Sequence, residues 1–268
     1  MSRHILHALV VVVVACAGPG AIASMAAHAA VNDGAAAAST SVADATMLWG
    51  DVLKHYVNAD GYVDFKGLEA DHAELDRYVA WVGEVGPQNH PDLFPTRDDK
   101  LAYYLNSYNA IAMWKVLKAG VPHALGFFDR QFFFRHDTIT VGGQDYTFTS
   151  YEADVIRKLG DPRVHFALNC MSESCPRLPR EPFVADGLDQ RLDQLAQKFF
   201  AEPRNVRLDA ADKTVHFSEI LKFYTDDFLA KAPSLIAYAN RYRAADAQIP
   251  ADYAVEFIDY DWTIIRQH

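Results

Sequence analysis

Cysteine is scarce in this chain: 268 residues hold three, at positions 16, 170 and 175. No finger-type zinc pattern can be built from them, because His165, Cys170 and Cys175 are spaced too widely and no fourth ligand accompanies them. Runs or stripes of Lys and Arg are also missing, and a net charge of -10 would repel a phosphate backbone, which excludes nucleic acid as a partner. There is no Gly-rich phosphate loop, no internal repeat and no second domain boundary, and nothing in the chain asks for a metal or a cofactor. The turn Asn58-Ala59-Asp60-Gly61 is no calcium loop. With Gly61 in the sixth position, Tyr56 and Gly67 fall where acidic ligands are required.

What is present starts with a leader. Arg3, an apolar run from Ile5 to Ala17 and a Gly18-Pro19-Gly20 break precede the small triplet Ala21-Ile22-Ala23. This is the order of an export signal, cleaved after residue 23. The run is short for a membrane span, so no transmembrane segment is expected in the mature chain. The alternative is a lipoprotein: Val13-Val14-Ala15-Cys16 resembles a lipobox, with Cys16 as the lipidated residue. Either way the protein is expected outside the cytoplasm, periplasmic or secreted. Residues 24–45 then read as a flexible lead-in rich in Ala, Ser and Thr, and residues 46–268 as one domain.

The chemistry concentrates in Val164 to Leu178, VHFALNCMSESCPRL. Alternation predicts a buried strand with Val164, Phe166, Leu168 and Cys170 on one face and His165, Ala167 and Asn169 on the other. Buried His165 and Asn169 need hydrogen-bond partners, and YLNSYNAIA, residues 104–112, is the segment expected to supply them. That segment lies on a helix capped by Thr96 and ending at Gly120-Val121-Pro122. At about 100° per residue, Lys100, Ser107, Lys115 and Lys118 form an outward stripe, whereas Asn109 points inward and Asn106 borders the same face. The two amides either tie down loop backbone or face a ligand. Hairpins are expected around Gly142-Gly143 and Asp209 to Lys213, and a strand over Tyr253 to Asp259. Helices and hairpins intermix without strand-helix alternation, which predicts an α+β domain with a central buried helix on a mainly antiparallel sheet.

Four separated motifs occur in order: YLNSYNAIA, DPRVHFALNCMSESCPRL, RNVRL and the terminal DYDW. Together they resemble the bacterial domain-of-unknown-function 547 family over about residues 98–264. The resemblance implies no activity, but it marks Asn106, Asn109, His165, Cys170, Ser174, Cys175, Asp261 and Trp262. A weaker likeness is to transglutaminase-like and papain-like folds. In this chain, however, the helix ending in Gly-Val-Pro carries no cysteine.

Two functions compete. In the preferred one, Cys170 and Cys175 are joined by a disulfide, as an oxidising compartment favours. The pocket then binds an unknown small molecule or peptide, or performs chemistry that needs no thiol, through Asn106, Asn109, Asn169, Ser174 and Trp262. The alternative is a thiol-dependent amide or ester hydrolase or acyl transferase. It uses Cys175 as nucleophile, His165 as base, and Asn109 or Asp261 as orienter or oxyanion donor. Because strand alternation would turn His165 and Cys170 to opposite faces, Cys175 is the thiol expected to meet the imidazole.

Overall fold

In the computed structural model, residues 40–267 are described. The expected leader and the lead-in up to residue 39 lie outside them. The lead-in ends earlier than its composition suggests, because Ser41 accepts a hydrogen bond from the Asp44 amide and starts helix α1, Val42–Tyr56. Two helices follow, α2, Phe65–Ala70, and α3, Ala73–Glu84. No described helix is long and apolar enough to cross a membrane.

Helix α4, Arg97–Lys118, is the central helix, and its start follows the sequence closely. Thr96 and Asp99 form a reciprocal capping box, a device that stabilises a helix start by about 1 kcal/mol. Its phasing holds for Asn106 and Asn109, both buried, but not for the opposite face. Ser107 is fully buried and Lys115 nearly so. Ser107 Oγ lies 2.7 Å from the Tyr151 hydroxyl, and Lys115 reaches Asp137 at 2.6 Å. A helix enclosed on all sides carries no outward stripe, and its few polar residues are each matched individually.

After α4 come α5, Phe127–Gln131, and a wide helical turn, Phe132–His136. Strands β1, Thr138–Val141, and β2, Gln144–Thr147, form the predicted hairpin. A helical stretch follows over 148–159, with Thr147 as its cap. Helix α6 is Leu188–Ala201. The second sheet is ordered β3-β4-β5: β3, Val206–Asp209, pairs antiparallel with β4, Thr214–Ser218, and β4 pairs parallel with β5, Ala254–Ile258. Between β4 and β5 lie α7, Ile220–Phe223, α8, Thr225–Leu229, and α9, Leu235–Asn240. The α+β class therefore stands.

Two apolar clusters form the core. One gathers around α1, α3 and α4; the other contains Phe199, Phe200, Val215, Phe217, Phe228 and Tyr238. Residues 164–168 run along the seam between them, with Val164, Ala167 and Leu168 in the first cluster and Phe166 in the second. The C-terminal segment then crosses back as a strap. Trp262 O accepts from Leu125 N–H, Thr263 O from Glu173 N–H, and Ile265 N–H donates to Met171 O.

Candidate functional site

The predicted strand at His165 is replaced by a tight helical turn, Pro162–Phe166. Asp161 caps it by accepting from the Arg163 amide, and Pro162 occupies the first turn, where its missing N–H costs nothing. Asp-Pro was thus a helix-start signal, overlooked because a short, wholly buried apolar run has no periodicity that separates strand from helix. With the strand goes the argument that His165 and Cys170 face apart. His165, Cys170 and Cys175 line one cavity of about 500 Å³.

The three amides are clamps. Asn109 Nδ2 donates to Ala167 O at 2.9 Å and its Oδ1 accepts from Asn169 N–H at 2.8 Å. Asn106 grips Phe183 in the same two-ended way, at 2.7 and 2.8 Å. Asn169 donates to Pro176 O and accepts from Met171 N–H. Each amide is occupied at both ends by backbone: Asn109 and Asn169 position the cysteine loop, and Asn106 holds Phe183. Within that loop, buried Met171 adopts φ +66°, a left-handed conformation uncommon for a side chain of this kind and maintained by the Asn169 hydrogen bond. Ser174 and Asp261 also brace each other: Asp261 N–H donates to Ser174 Oγ at 2.8 Å, and Ser174 N–H to Asp261 O. The Asp261 carboxylate accepts from Thr263 N–H and does not line the cavity, whereas Trp262 does.

The two thiols are buried and unbonded, with their Sγ atoms 2.7 Å apart. Cys175 Sγ is surrounded by hydrogen-bonding groups. Cys170 N–H reaches it at 3.0 Å, Tyr260 OH at 3.2 Å and Ser172 Oγ at 3.3 Å. Burial opposes ionisation there, but hydrogen bonds from Cys170, Ser172 and Tyr260 outweigh it and bring the Cys175 thiol down to about 6. The same contact with Cys175, together with burial, pushes the Cys170 thiol up. Cys175 O accepts from Arg204 Nη2 at 2.7 Å, and Arg204 Nη1 also holds Glu173 O, so the first residue of RNVRL fixes the loop from behind.

Across the cavity, His165 Nε2 is 2.8 Å from Asp227 Oδ2, and the ring stacks on Tyr224 at 3.7 Å. Asp227 also takes a bidentate pair from Arg157, at 2.7 and 2.8 Å. Hydrogen bonds from His165 and then Arg157 hold the Asp227 carboxyl well below the usual carboxylate range. Glu152, also in the cavity wall, is pushed up by burial. Among the described residues no cluster of three His, Cys, Asp or Glu groups could hold a metal ion.

Asp227, Tyr260 and Arg204 were not singled out from sequence. Tyr260 was within reach, as part of DYDW, but its neighbours were marked in its place. Asp227 carried no signal beyond a helix N-terminal turn rich in acid, a pattern that capping alone explains.

No curated protein and no solved structure matched the chain. Residues 93–200, which carry the three amides, His165 and both thiols, match the model of the family described as "Protein of unknown function, DUF547", and over that stretch the chain is similar to this family.

Proposed function

We propose that this protein is an exported cell-envelope enzyme that transfers or hydrolyses acyl groups of amides or esters through Cys175. The observation that carries the reading is the placement of Cys175 Sγ among three hydrogen-bonding groups in the same cavity as His165, whose Nε2 is bonded to Asp227. A thiolate so surrounded is available near neutral pH without being reprotonated by its neighbours. With Nε2 bound to Asp227, His165 keeps Nδ1 for proton exchange, and Asp227 stabilises the imidazolium.

In the first step the Cys175 thiolate adds to the acyl carbon. The carbon–nitrogen or carbon–oxygen bond then breaks, and the leaving amine or alcohol takes a proton from the imidazolium. A thioester on Cys175 remains. Water, or an acceptor amine or alcohol, gives its proton to His165, adds to the thioester and releases the Cys175 thiolate, which restores the starting thiolate and imidazolium.

The test is a trapped intermediate. Reduced protein mixed with p-nitrophenyl acetate and quenched in acid should carry one acetyl group on Cys175. The adduct should be absent in Cys175→Ser and should persist far longer in His165→Ala, which lacks the base that activates water. No adduct at Cys175 would remove this reading.

A second reading draws on the 2.7 Å separation of the two thiols. Outside the cytoplasm such a pair closes readily to a disulfide, and the cavity would then bind a small molecule or peptide without thiol chemistry. Protein exported with its own leader and never reduced distinguishes the two. Rapid iodoacetamide labelling of Cys175 favours the enzyme; two unreactive cysteines, released by reductant, favour the binder.

A further inference from the structure

One wall of the cavity is cationic, although the chain as a whole carries a net charge of -10. Arg130 and Arg135, from α5 and the turn after it, line the cavity, and neither is ion-paired to a carboxylate among the described residues. The acids beside them are committed elsewhere: Asp129 caps the Gly126 amide at 3.1 Å, and Asp137 is held by Lys115. The third arginine of the cavity, Arg157, is matched by Asp227, so it contributes little to the field that an incoming group meets.

Arg130 is also fixed in place. Its guanidinium lies over the Trp262 ring at 4.7 Å, and Nη1 donates to Leu125 O at 3.2 Å. A planar guanidinium stacked on one face and anchored at one nitrogen has lost most of its rotamer freedom, so presenting its remaining N–H groups to a two-oxygen acceptor costs little further entropy. Trp262 in turn packs at 4.4 Å on Tyr260, whose hydroxyl reaches Cys175 Sγ, and Phe134 packs against Trp262 at 6.0 Å, so an aromatic strip runs from Arg130 to the thiols.

We infer that the acyl group accepted by this site bears a carboxylate, as in a dicarboxylic acid derivative or an acidic peptide, which Arg130 and Arg135 hold while its carbonyl faces Cys175. This deepens the acyl-transfer reading and rests on it. The aromatic strip suits a short methylene spacer between the carboxylate and the reacting carbonyl.

Paired alkylating agents that differ only in charge test it. Reduced protein is treated at neutral pH with iodoacetate or with iodoacetamide, and the ratio of the two rates at Cys175 is compared with the ratio for glutathione. The expected ratio exceeds that of glutathione by about tenfold, as a nearby cation concentrates an anionic reagent, and declines in high salt. It should fall to the glutathione value in Arg130→Gln/Arg135→Gln and persist in Arg130→Lys/Arg135→Lys. Rapid labelling by both reagents at the glutathione ratio would overturn the inference and leave the thiol reading intact. If neither reagent labels Cys175, the thiol reading fails. The anion site is then decided by calorimetric titration of Cys175→Ser with glutarate: binding that disappears in the double Gln variant supports it, and no binding overturns it.

Discussion

His165 and Asp227 meet at 2.8 Å across 62 residues of sequence, one from the turn at the seam of the core and the other from α8. Replacing Asp227 with Asn removes the charge that orients the imidazole and stabilises its cation. Turnover of an activated ester should fall by roughly 100-fold or more. A change in KM alone, with kcat preserved, would mean that Asp227 serves binding and not proton transfer.

Asp227 should also show itself in acid. A carboxyl held below its ordinary pKa contributes stability that is complete above the unfolded value, about 3.9, and is lost as pH falls toward the folded value. Wild-type protein should therefore lose more stability than Asp227→Asn between about pH 5 and about pH 2. Parallel acid limbs in urea titrations of the two proteins would contradict the assignment.

The Cys175 thiol, brought down to about 6, should react with iodoacetamide well below the pH at which a free thiol does, with its half-maximal rate near pH 6. Tyr260→Phe removes one donor to the thiolate and should slow labelling at pH 6 by about tenfold, with little change at pH 9. An unchanged profile would place the proton elsewhere in the Cys170, Ser172 and Tyr260 cluster.

Asn109→Leu leaves Ala167 O and the Asn169 amide without their partner inside the protein. The expected loss is about 2 to 5 kcal/mol, read from denaturant midpoints. Ser107→Leu must force a larger side chain into a filled site beside Tyr151 and should cost about 1 to 3 kcal/mol. A neutral Ser107→Leu would restore the outward stripe that the sequence suggested.

We propose cleavage after Ala23, which predicts Ser24 as the first residue of the exported protein; intact-mass analysis reads that position directly. A diacylglyceryl adduct on Cys16 would make it a lipoprotein instead.

The parts of the fold legible in the sequence were those announced by local chemistry. Thr96 and Asp99 start the central helix, Gly142-Gly143 turns a hairpin, and Ser234 caps α9. Burial of Asn106 and Asn109 followed from helical phase. What could not be read was anything fixed by long-range packing. Ser107 and Lys115 look solvent-facing until Tyr151 and Asp137 are brought to them from distant segments. Likewise the cysteine loop could be seen as reactive, but its backbone clamp, Arg204, and its donor, Tyr260, come from 29 and 85 residues beyond Cys175. Short apolar segments such as 164–168 fail for a different reason: buried on every side, they carry no pattern to phase.

The seam position of residues 164–168 limits how the family segment can be transplanted. A fragment ending at Phe200 would keep both thiols and His165 yet forfeit Asp227, Tyr224 and Tyr260. It would also expose Phe166, Phe199 and Phe200, whose cluster is completed from beyond that point. Grafted onto another scaffold, the matched stretch would carry the imidazole and the two thiols without the Asp227 carboxylate and the Tyr260 phenol that contact them here.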